Sequence, residues 1–453
     1  MSFPMPPRGG TLAVPPHAPR PTPIKRAASP MIAGLGAAPD EDQLDRFWSD
    51  VKRQGTPVIE ADRDNACTYT FVYRGAAATE RVAFLGNKIA DPLAVEDTLF
   101  ERLEGTEVWW FSIRLGASWR GSYGIAAQEG ERPAIAPERA QLIERRRARS
   151  LAATDAEHHH RIEDWYDLQY YVAADRFARE NGRPGSSLPS VASGPAAPSP
   201  HVALPSGDVA NTAPHIGRVV PVRDAPRTGL WWHVPSGPRP AEWDVLVLLD
   251  GERWLDAGAE LDAWQASGAL PPTVALLVGA GELDQRVRDL TCSPDFVDDL
   301  VRVIDRAADD FPELGAPLTR DPQRTRIAGQ SLGGLTALYA QCARPERFGV
   351  SVSQSGSFWW PNARAVPDAD ADAEAAPTTA EWLTNAIRTA APRLGTVAIE
   401  VGTQEWALLE PTRRLRAALD GACVNLLYQE FEGGHDEACW FATLPRLLRD
   451  TVR

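Results

Sequence analysis

Lysine is nearly absent from this chain of 453 residues. Only Lys25, Lys52 and Lys88 stand among its 47 basic residues, and the other 44 are arginines. The formal net charge of −14 leaves no broad basic face, which argues against nucleic acid as a partner. The five cysteines are scattered and form no Cys-x-x-Cys pair, which argues against a disulfide scaffold or a zinc module and favours a reducing compartment. We expect no metal and no cofactor.

Long hydrophobic runs are also missing. No apolar stretch approaches the ~18–20 residues of a membrane span, so we expect no membrane partner. The first 30 residues are rich in proline and lack the apolar segment of a signal peptide. We therefore predict that residues 1–40 are a disordered tail and that the protein is cytoplasmic. The sequence does not indicate an oligomeric state.

The length predicts two to three domains. Short β-type runs separated by turn residues predict an N-terminal β-sandwich domain over residues 41–180, with a charged, helix-prone extension from about residue 131. Its predicted strands are Cys67–Tyr73, Glu80–Leu85, Val108–Leu115 and Ser118–Ile125. A stretch rich in proline, glycine and serine follows, and residues 181–214 are predicted to be a linker or insertion.

The last part of the chain, residues 215–453, alternates fully apolar strands with helical patterns. This alternation predicts an α/β fold with a mostly parallel sheet that is covered on both faces. The predicted strands are Val245–Leu249, Val274–Val278, Arg326–Ala328, Val350–Ser353, Val397–Val401 and Val424–Glu430. The predicted helices are Leu255–Ala266, Asp295–Asp309, Leu332–Ala343, Ala380–Ala391, Glu410–Leu419 and Ala438–Thr451. An acidic stretch, residues 366–377, is predicted to be a surface loop.

One motif in this part carries chemistry. The run from Gly329 to Gly333 is Gly-Gln-Ser-Leu-Gly, a G-x-S-x-G sequence at the junction of a predicted strand and helix. In an α/β-hydrolase this tight turn holds the nucleophilic serine above the sheet, and its glycines let backbone approach backbone. Ser331 is therefore the predicted nucleophile, and the backbone N–H of Leu332 a predicted oxyanion donor.

A serine nucleophile needs a base and an acid that orients the base, in the chain order serine, acid, histidine. His435 is the only histidine after Ser331, and it follows the last predicted strand. Glu405 follows the strand before it and is the favoured acid, with Asp436 and Glu400 as weaker alternatives. The second oxyanion donor is expected after the strand Val245–Leu249, where we predict the backbone N–H of Glu252.

Several stretches together resemble the enterochelin (enterobactin) esterase family. They are LLDGERW (Leu248–Trp254), RVRDLTCSPDF (Arg286–Phe296), AGQSLGGLTALYA (Ala328–Ala340), RPERFG (Arg344–Gly349), SQSGSFWWP (Ser353–Pro361), VGTQE (Val401–Glu405) and EGGHDEACW (Glu432–Trp440). The segments Phe47–Glu60, Val82–Asn87 and Val108–Leu115 are similar to that family's N-terminal β-sandwich. Residues 150–215 and the acidic stretch 366–377 depart from the family pattern.

The resemblance implies an α/β-hydrolase with the triad Ser331, Glu405 and His435. It also implies a small-molecule substrate, a ferric catecholate siderophore whose trilactone esters are cleaved so that iron is released inside the cell. The alternatives are another carboxylesterase or an acyltransferase with the same triad, or a binding module that has kept the fold.

Five residues near the predicted strand ends are candidate substrate contacts under this interpretation. Trp254, Trp359 and Trp360 could stack on catechol rings, although core packing is an equally good reading of Trp359 and Trp360. Arg253 and Arg286 could pair with an anionic ligand, with ordinary surface positions as the alternative.

Overall fold

A β-sandwich precedes a larger, mainly parallel sheet along the chain. The computed structural model describes residues 3–7, 24–183, 186, 188–199, 217–236, 238–310, 314–362 and 380–452. The predicted acidic loop, residues 366–377, and residues 200–214 of the predicted linker lie outside the described residues. Across the described ranges the strands form three sheets, two in the N-terminal domain and one in the C-terminal domain.

The N-terminal domain contains nine strands within the described residues. They are β1 (Val58–Ala61), β2 (Ala66–Arg74), β3 (Thr79–Gly86), β4 (Glu101–Arg102), β5 (Val108–Gly116), β6 (Arg120–Glu129), β7 (Val172–Ala173), β8 (Glu180–Asn181) and β9 (Ser190–Ser193). One sheet has the order β1-β2-β5-β4, and the other has the order β3-β6-β9-β8 with β7 paired to β6. All of these pairs are antiparallel.

Aromatic side chains fill the space between these two sheets. Phe71 and Phe111 come from the first sheet and lie opposite each other in the β2–β5 register. Phe84 and Tyr123 come from the second sheet, and the rings of Phe84 and Phe111 stack with 4.8 Å between their centroids. All four side chains are fully buried. Inward-facing residues from two sheets define a sandwich, which confirms the predicted N-terminal architecture.

Two helices, α1 (Pro30–Leu35) and α2 (Glu41–Gln54), lie before the first strand. The Ser29 hydroxyl accepts a hydrogen bond from the N–H of Ile32 and so caps α1, while Ile32 and Leu35 pack in a core with residues of α2. The prediction of disorder was therefore wrong for the described residues 30–40, because two buried apolar side chains and a cap fix a helix within a Pro- and Ala-rich segment.

The predicted linker also contains structure. Ser190–Ser193 is strand β9, which pairs with β6 in the register Arg120↔Ser193. Its side chains at Ser190, Val191 and Ala192 are buried. Serine and alanine carry little strand signal, but here the backbone hydrogen bonds of the sheet and a buried valine decide the conformation. The boundary predicted at residue 181 is thus wrong, because the sandwich extends through β9. The charged extension of this domain forms helices α3 (Pro137–Ala152) and α4 (His159–Leu168).

Eight strands form the sheet of the C-terminal domain within the described ranges. They are β10 (Arg218–Pro221), β11 (Leu230–Val234), β12 (Asp244–Leu249), β13 (Thr273–Val278), β14 (Thr325–Gln330), β15 (Val350–Gln354), β16 (Leu394–Gly402) and β17 (Cys423–Phe431). Their order is β10-β11-β13-β12-β14-β15-β16-β17. From β13 to β17 all pairs are parallel. The antiparallel edge pairs of β10 and β11 were not predicted.

Seven helices accompany this sheet in the described part of the chain. They are α5 (Gly258–Ala266), α6 (Leu283–Leu290), α7 (Pro294–Asp310), α8 (Leu332–Ala343), α9 (Trp382–Ala390), α10 (Trp406–Leu419) and α11 (Glu437–Asp450). Both faces of this sheet are covered, as strand β12 shows. Its alternate residues point to opposite faces, and Val245 and Val247 belong to one apolar core while Leu246 and Leu248 belong to another. This arrangement confirms the predicted α/β-hydrolase fold. In the described ranges, every helix is too short or too polar to cross a bilayer.

Strand β6 of the sandwich lies against the segment that leads from β17 into α11. The backbone N–H of Arg120 donates to the carbonyl of Glu432 at 3.1 Å, and the guanidinium Nε of Arg120 donates to the carbonyl of Ala438 at 2.7 Å. The Arg120 side chain is almost fully buried and is also paired with Glu180. The N-terminal domain is thereby attached directly to the segment that contains His435.

Candidate active site

Ser331 is the single residue between strand β14 and helix α8. Its φ of 57° is a left-handed backbone conformation that non-glycine residues seldom adopt. Such strain at a strand-to-helix turn is typical of the nucleophile of an α/β-hydrolase. Gly329 is required by space, since a Cβ at this position would lie 2.5 Å from the carbonyl carbon of Gly333.

The backbone on both sides of Ser331 is fixed by strand β15 and the loop that follows it. The N–H of Ser331 donates to the carbonyl of Gln354 at 3.1 Å, and the carbonyl of Ser331 accepts from the N–H of Ser357 at 3.0 Å. The Ser331 hydroxyl lies 3.4 Å from the Ser357 hydroxyl. Ser331 remains half-buried, so its hydroxyl sits on a rigid turn that solvent can reach.

Glu405 and His435 form a hydrogen-bonded pair at the ends of the next two strands. The Nδ1 atom of His435 lies 2.6 Å from Oε2 of Glu405. Glu405 follows β16 at the start of α10 and is buried, whereas the His435 side chain is 25% exposed. With Nδ1 protonated and held by the carboxylate, Nε2 of the imidazole is the free basic nitrogen. The structure thus brings together the predicted acid and base.

The carboxylate of Glu405 is held by donors on its other oxygen. Oε1 accepts from the hydroxyl of Ser355 at 2.5 Å and from the N–H of Gly402 at 2.8 Å. The indole N–H of Trp440 donates to the Ser355 hydroxyl at 2.8 Å, and the Trp440 ring lies edge-on to the His435 imidazole at 4.8 Å between centroids. These contacts fix both the carboxylate and the ring plane of the base.

Ser355 and Trp440 are functional candidates that the residue-level predictions missed. Both residues lie inside stretches that resemble the enterochelin esterase family, SQSGSFWWP and EGGHDEACW. Those stretches could have marked Ser355 and Trp440 as candidates. Their roles depend on a contact between side chains that are 85 positions apart, which no local pattern reveals. Asn87 was also missed, and its side-chain amide donates to the carbonyl of His435 at 2.9 Å from the N-terminal domain.

The two rival acids have other partners. The Oδ2 atom of Asp436 accepts from the N–H and the hydroxyl of Ser122 at 2.6 and 2.8 Å, and its Oδ1 caps α11 through the N–H of Ala438. Glu400 is fully buried beneath the site, where its Oε1 accepts from Gln354 at 2.7 Å. Burial raises the pKa of Glu400 to about 7, although its hydrogen bonds act in the opposite direction.

The predicted oxyanion donors lie on two segments that touch. Leu332 is the first residue of α8, where a backbone N–H has no partner inside the helix. Glu252 lies on the short 3₁₀ turn after β12, and its side chain accepts from the N–H of Ala280 at 2.9 Å. The loop before it approaches the serine turn, since a Cβ on Gly333 would lie 3.6 Å from Oδ2 of Asp250.

The predicted substrate arginines are engaged in ion pairs. Arg286 holds both carboxylate oxygens of Asp250, at 2.6 and 2.7 Å, and so braces the loop that carries Glu252. Arg253 pairs with Glu437, the first residue of α11. The charges of both arginines are therefore compensated within the protein, which gives Arg286 a positioning role in this structure.

The three predicted substrate tryptophans lie in the core. Trp254 has no exposed surface and packs edge-on against Phe441 at 4.6 Å. Trp359 and Trp360 are 5% and 1% exposed, and Trp360 packs edge-on against Trp382 at 6.1 Å. Of the two readings kept for Trp359 and Trp360, the structure favours core packing, and it gives Trp254 the same role.

The described residues contain no group of three or more histidine, cysteine or acidic side chains that could hold a metal ion. Three consecutive histidines, residues 158–160, also lack such a group: the ring of His159 lies 3.0 Å from the carbonyl of Thr154, and that of His158 lies 3.5 Å from Glu157. A serine on a strained turn and a histidine oriented by a carboxylate are groups that suit acyl transfer from an ester.

Comparison with known proteins supports this chemistry. The family model described as "Enterochelin esterase, N-terminal" matches residues 68–202, and the Esterase family model matches residues 227–451. Iron(III) enterobactin esterase of Dickeya dadantii is 31% identical over 91% of this chain and 94% of its own length. The corresponding protein of Escherichia coli K12 is 28% identical over 77% of this chain and 80% of its own length.

A solved structure has the same fold. The crystal structure of ferric enterobactin esterase from Salmonella typhimurium superposes with a TM-score of 0.67 and 25% identity, and it covers 89% of this chain and 98% of that protein. Fold and similarity together define the chain as a carboxylic ester hydrolase of the serine type. It belongs to the enterochelin (iron(III) enterobactin) esterase family.

Proposed function

We propose that this enzyme hydrolyses the ester bonds of a ferric catecholate siderophore of the enterobactin type, in the cytoplasm, so that iron is released. The observation that carries the proposal is the similarity, over nearly the whole chain, to a relative named iron(III) enterobactin esterase. The hydrogen-bonded pair of Glu405 and His435 and the strained turn at Ser331 support the same chemistry.

In the proposed mechanism, Ser331 Oγ attacks an ester carbonyl carbon while Nε2 of His435 takes the hydroxyl proton. The resulting oxyanion accepts hydrogen bonds from the backbone N–H groups of Leu332 and Glu252. The tetrahedral intermediate collapses, the C–O bond to the leaving alkoxide breaks, and His435 returns the proton to that oxygen. Throughout, Glu405 holds Nδ1–H of His435 and stabilises the imidazolium.

The acyl group now carried by Ser331 is removed by water in the same manner. His435 accepts a proton from the water as its oxygen attacks the acyl carbon, and then protonates Ser331 Oγ as the carboxylic acid leaves. On a trilactone, each round opens one ester bond, and successive rounds give monomeric catecholoyl-serine. In this proposal the N-terminal domain binds the part of the substrate that lies beyond the reacting ester, because Asn87 and Arg120 of that domain contact the segment containing His435.

The direct test is incubation of the purified enzyme with iron-loaded enterobactin, with monomeric dihydroxybenzoylserine followed by chromatography. p-Nitrophenyl butyrate serves as a simple ester, and the Ser331→Ala variant serves as the control for background hydrolysis. Appearance of the monomer with the natural chain, and its absence with the variant, are the expected results. Good turnover of the simple ester without cleavage of the siderophore would contradict the proposed substrate.

A further inference from the structure

Lys88 is placed against the segment that contains His435. It lies in the turn that follows β3, with a φ of 59°. The preceding residue, Asn87, donates to the carbonyl of His435, and a Cβ on Gly434 would lie 2.7 Å from Cβ of Lys88. The backbone of this turn therefore packs on the two residues that precede Asp436, and it places Cβ of Lys88 beside the segment that contains His435.

The ammonium of Lys88 lies beside the residue that follows Glu405 in the chain. Its Nζ lies 5.8 Å from the centroid of the Trp406 ring, and Trp406 directly follows Glu405 in the chain. Surrounding protein lowers the pKa of Lys88, the charge of Glu405 raises it, and the charge of Arg146 lowers it. The charges of Glu405 and Arg146 thus both reach Lys88.

The charge of Lys88 is not compensated by an ion pair. Among the residues that the structure describes, no carboxylate lies within salt-bridge distance of Lys88, whereas Arg253 and Arg286 are each paired with one. Lys88 is exposed to solvent, so its ammonium is accessible to a ligand. A cation that has no carboxylate partner in the protein can form charge-assisted hydrogen bonds with an anionic ligand.

We propose that Lys88, supported by the face of Trp406, forms an anion-binding subsite beside His435 that takes the negatively charged catecholate oxygens of the substrate. This inference rests on the proposed function, and it assigns recognition of the substrate's negative charge to the N-terminal domain. A ferric tris-catecholate complex is an anion, and the predicted arginines are not available for it because carboxylates of the protein already bind them. The half-buried ring of Trp406 stabilises the ammonium by a cation–π contact and leaves its three donors free for the ligand.

The test compares Lys88→Met with Lys52→Met in the Ser331→Ala background. Methionine keeps most of the apolar stem of the lysine side chain, and Lys52 is an exposed lysine of the same domain, near the end of α2. Ferric enterobactin is titrated in, and binding is followed by quenching of tryptophan fluorescence. We expect Lys88→Met to raise Kd about tenfold or more, Lys52→Met to leave Kd unchanged, and Lys88→Arg to restore much of the affinity. Equal Kd values for Lys88→Met and its parent would overturn the subsite.

A second readout separates this inference from the proposed substrate. Mono-p-nitrophenyl succinate and p-nitrophenyl butyrate are similar esters, of which the first carries a carboxylate. Here both variants keep Ser331, so that the esters are hydrolysed. The measured quantity is kcat/KM for the anionic ester divided by kcat/KM for the neutral ester. This ratio should fall at least fivefold in Lys88→Met and stay constant in Lys52→Met. If ferric enterobactin is neither bound nor cleaved by the parent chain, the proposed function fails, and this ratio alone decides the subsite. An unchanged ratio then overturns it.

Discussion

The indole N–H of Trp440 donates a hydrogen bond to the hydroxyl of Ser355 at 2.8 Å. Because that hydroxyl oxygen already accepts from Trp440, its own proton is free to point to Oε1 of Glu405, 2.5 Å away. Oε1 is then occupied by Ser355 and the N–H of Gly402, and Oε2 remains for His435. The direction of each hydrogen bond is therefore fixed from Trp440 to His435, the proposed base.

Replacing Ser331 with alanine should abolish ester hydrolysis and leave the fold intact. The substitution removes the only nucleophile of the proposed mechanism, and alanine fits the space of a serine. We expect kcat for p-nitrophenyl butyrate to fall by about 10⁴-fold or more, while the circular dichroism spectrum and Tm stay unchanged. Activity retained in a correctly folded variant would remove Ser331 from the proposed role.

Glu405→Gln should lower kcat more than Tm, and Asp436→Asn should lower Tm more than kcat. Glutamine at position 405 no longer stabilises the imidazolium of His435, and we expect kcat to fall by about 10³- to 10⁴-fold with little change in Tm. Asp436 instead binds Ser122 and caps α11, so Asp436→Asn should lower Tm and change kcat less than tenfold. Steady-state kinetics and thermal melts measure both, and a larger loss of kcat in Asp436→Asn would make Asp436 the acid.

Trp440→Phe tests whether the hydrogen bond to Ser355 positions the base. Phenylalanine keeps a ring beside His435 but cannot donate to the Ser355 hydroxyl. We expect kcat to fall by about 10- to 100-fold, with KM for p-nitrophenyl butyrate nearly unchanged. Trp382→Phe is the matched control, because it also removes one indole N–H but packs against Trp360, away from the acid–base pair. A loss of the same size in both variants would assign Trp440 to packing alone.

The sequence was informative where local chemistry decides the structure. The strand Val245–Leu249 is apolar at every position, which is typical of a sheet that is covered on both faces. At Gly329, any side chain would collide with the backbone of the turn. The order of Ser331, Glu405 and His435 then followed from the order of the strands. The fold depends on neighbours along the chain and was predicted correctly, whereas the catalytic roles of Ser331, Glu405 and His435 stay predictions.

The sequence was not informative where distant partners decide. A position after a strand suggested that Arg286 and Trp254 face a ligand, but Asp250 neutralises the first and the core encloses the second. Strand β9 was missed because its serines and alanine become a strand only through pairing with β6. The position of Lys88 was missed for the same reason, because its neighbours Gly434 and Trp406 lie far from it in the chain.

Arg286→Lys should lower kcat rather than raise KM. Lysine keeps the positive charge but cannot hold both oxygens of Asp250, so the loop that carries Glu252 should lose its fixed position. We expect kcat for p-nitrophenyl butyrate to fall about tenfold, with KM nearly constant. Arg288→Lys on the same helix is the control, because Arg288 is exposed and its guanidinium donates to the side chain of Gln285 rather than to the loop that carries Glu252. If instead KM for an anionic ester rises while kcat stays constant, Arg286 binds substrate directly.

Glu400→Gln should flatten the dependence of stability on pH. In the folded chain, burial raises the pKa of Glu400 from 4.5 to about 7, so folding favours the protonated carboxyl. Its stabilising contribution is therefore fully present below about pH 4.5 and is lost as the pH rises through about 7. The hydroxyl of Thr443 donates to Oε1 of Glu400 at 2.5 Å and lowers the pKa of this carboxyl, but the effect of burial is larger.

Urea unfolding of both chains at several pH values measures this effect. The free energy of unfolding of the natural chain, relative to Glu400→Gln, should decline by on the order of a few kcal/mol between about pH 4.5 and 7. Glu410→Gln is the matched control, because Glu410 is exposed on α10 and pairs with Arg413, so its curve should stay parallel to that of the natural chain. If the curve of Glu400→Gln is also parallel, Glu400 is ionised throughout this range, and its hydrogen bonds from Gln354, Gln429 and Thr443 outweigh the cost of burial.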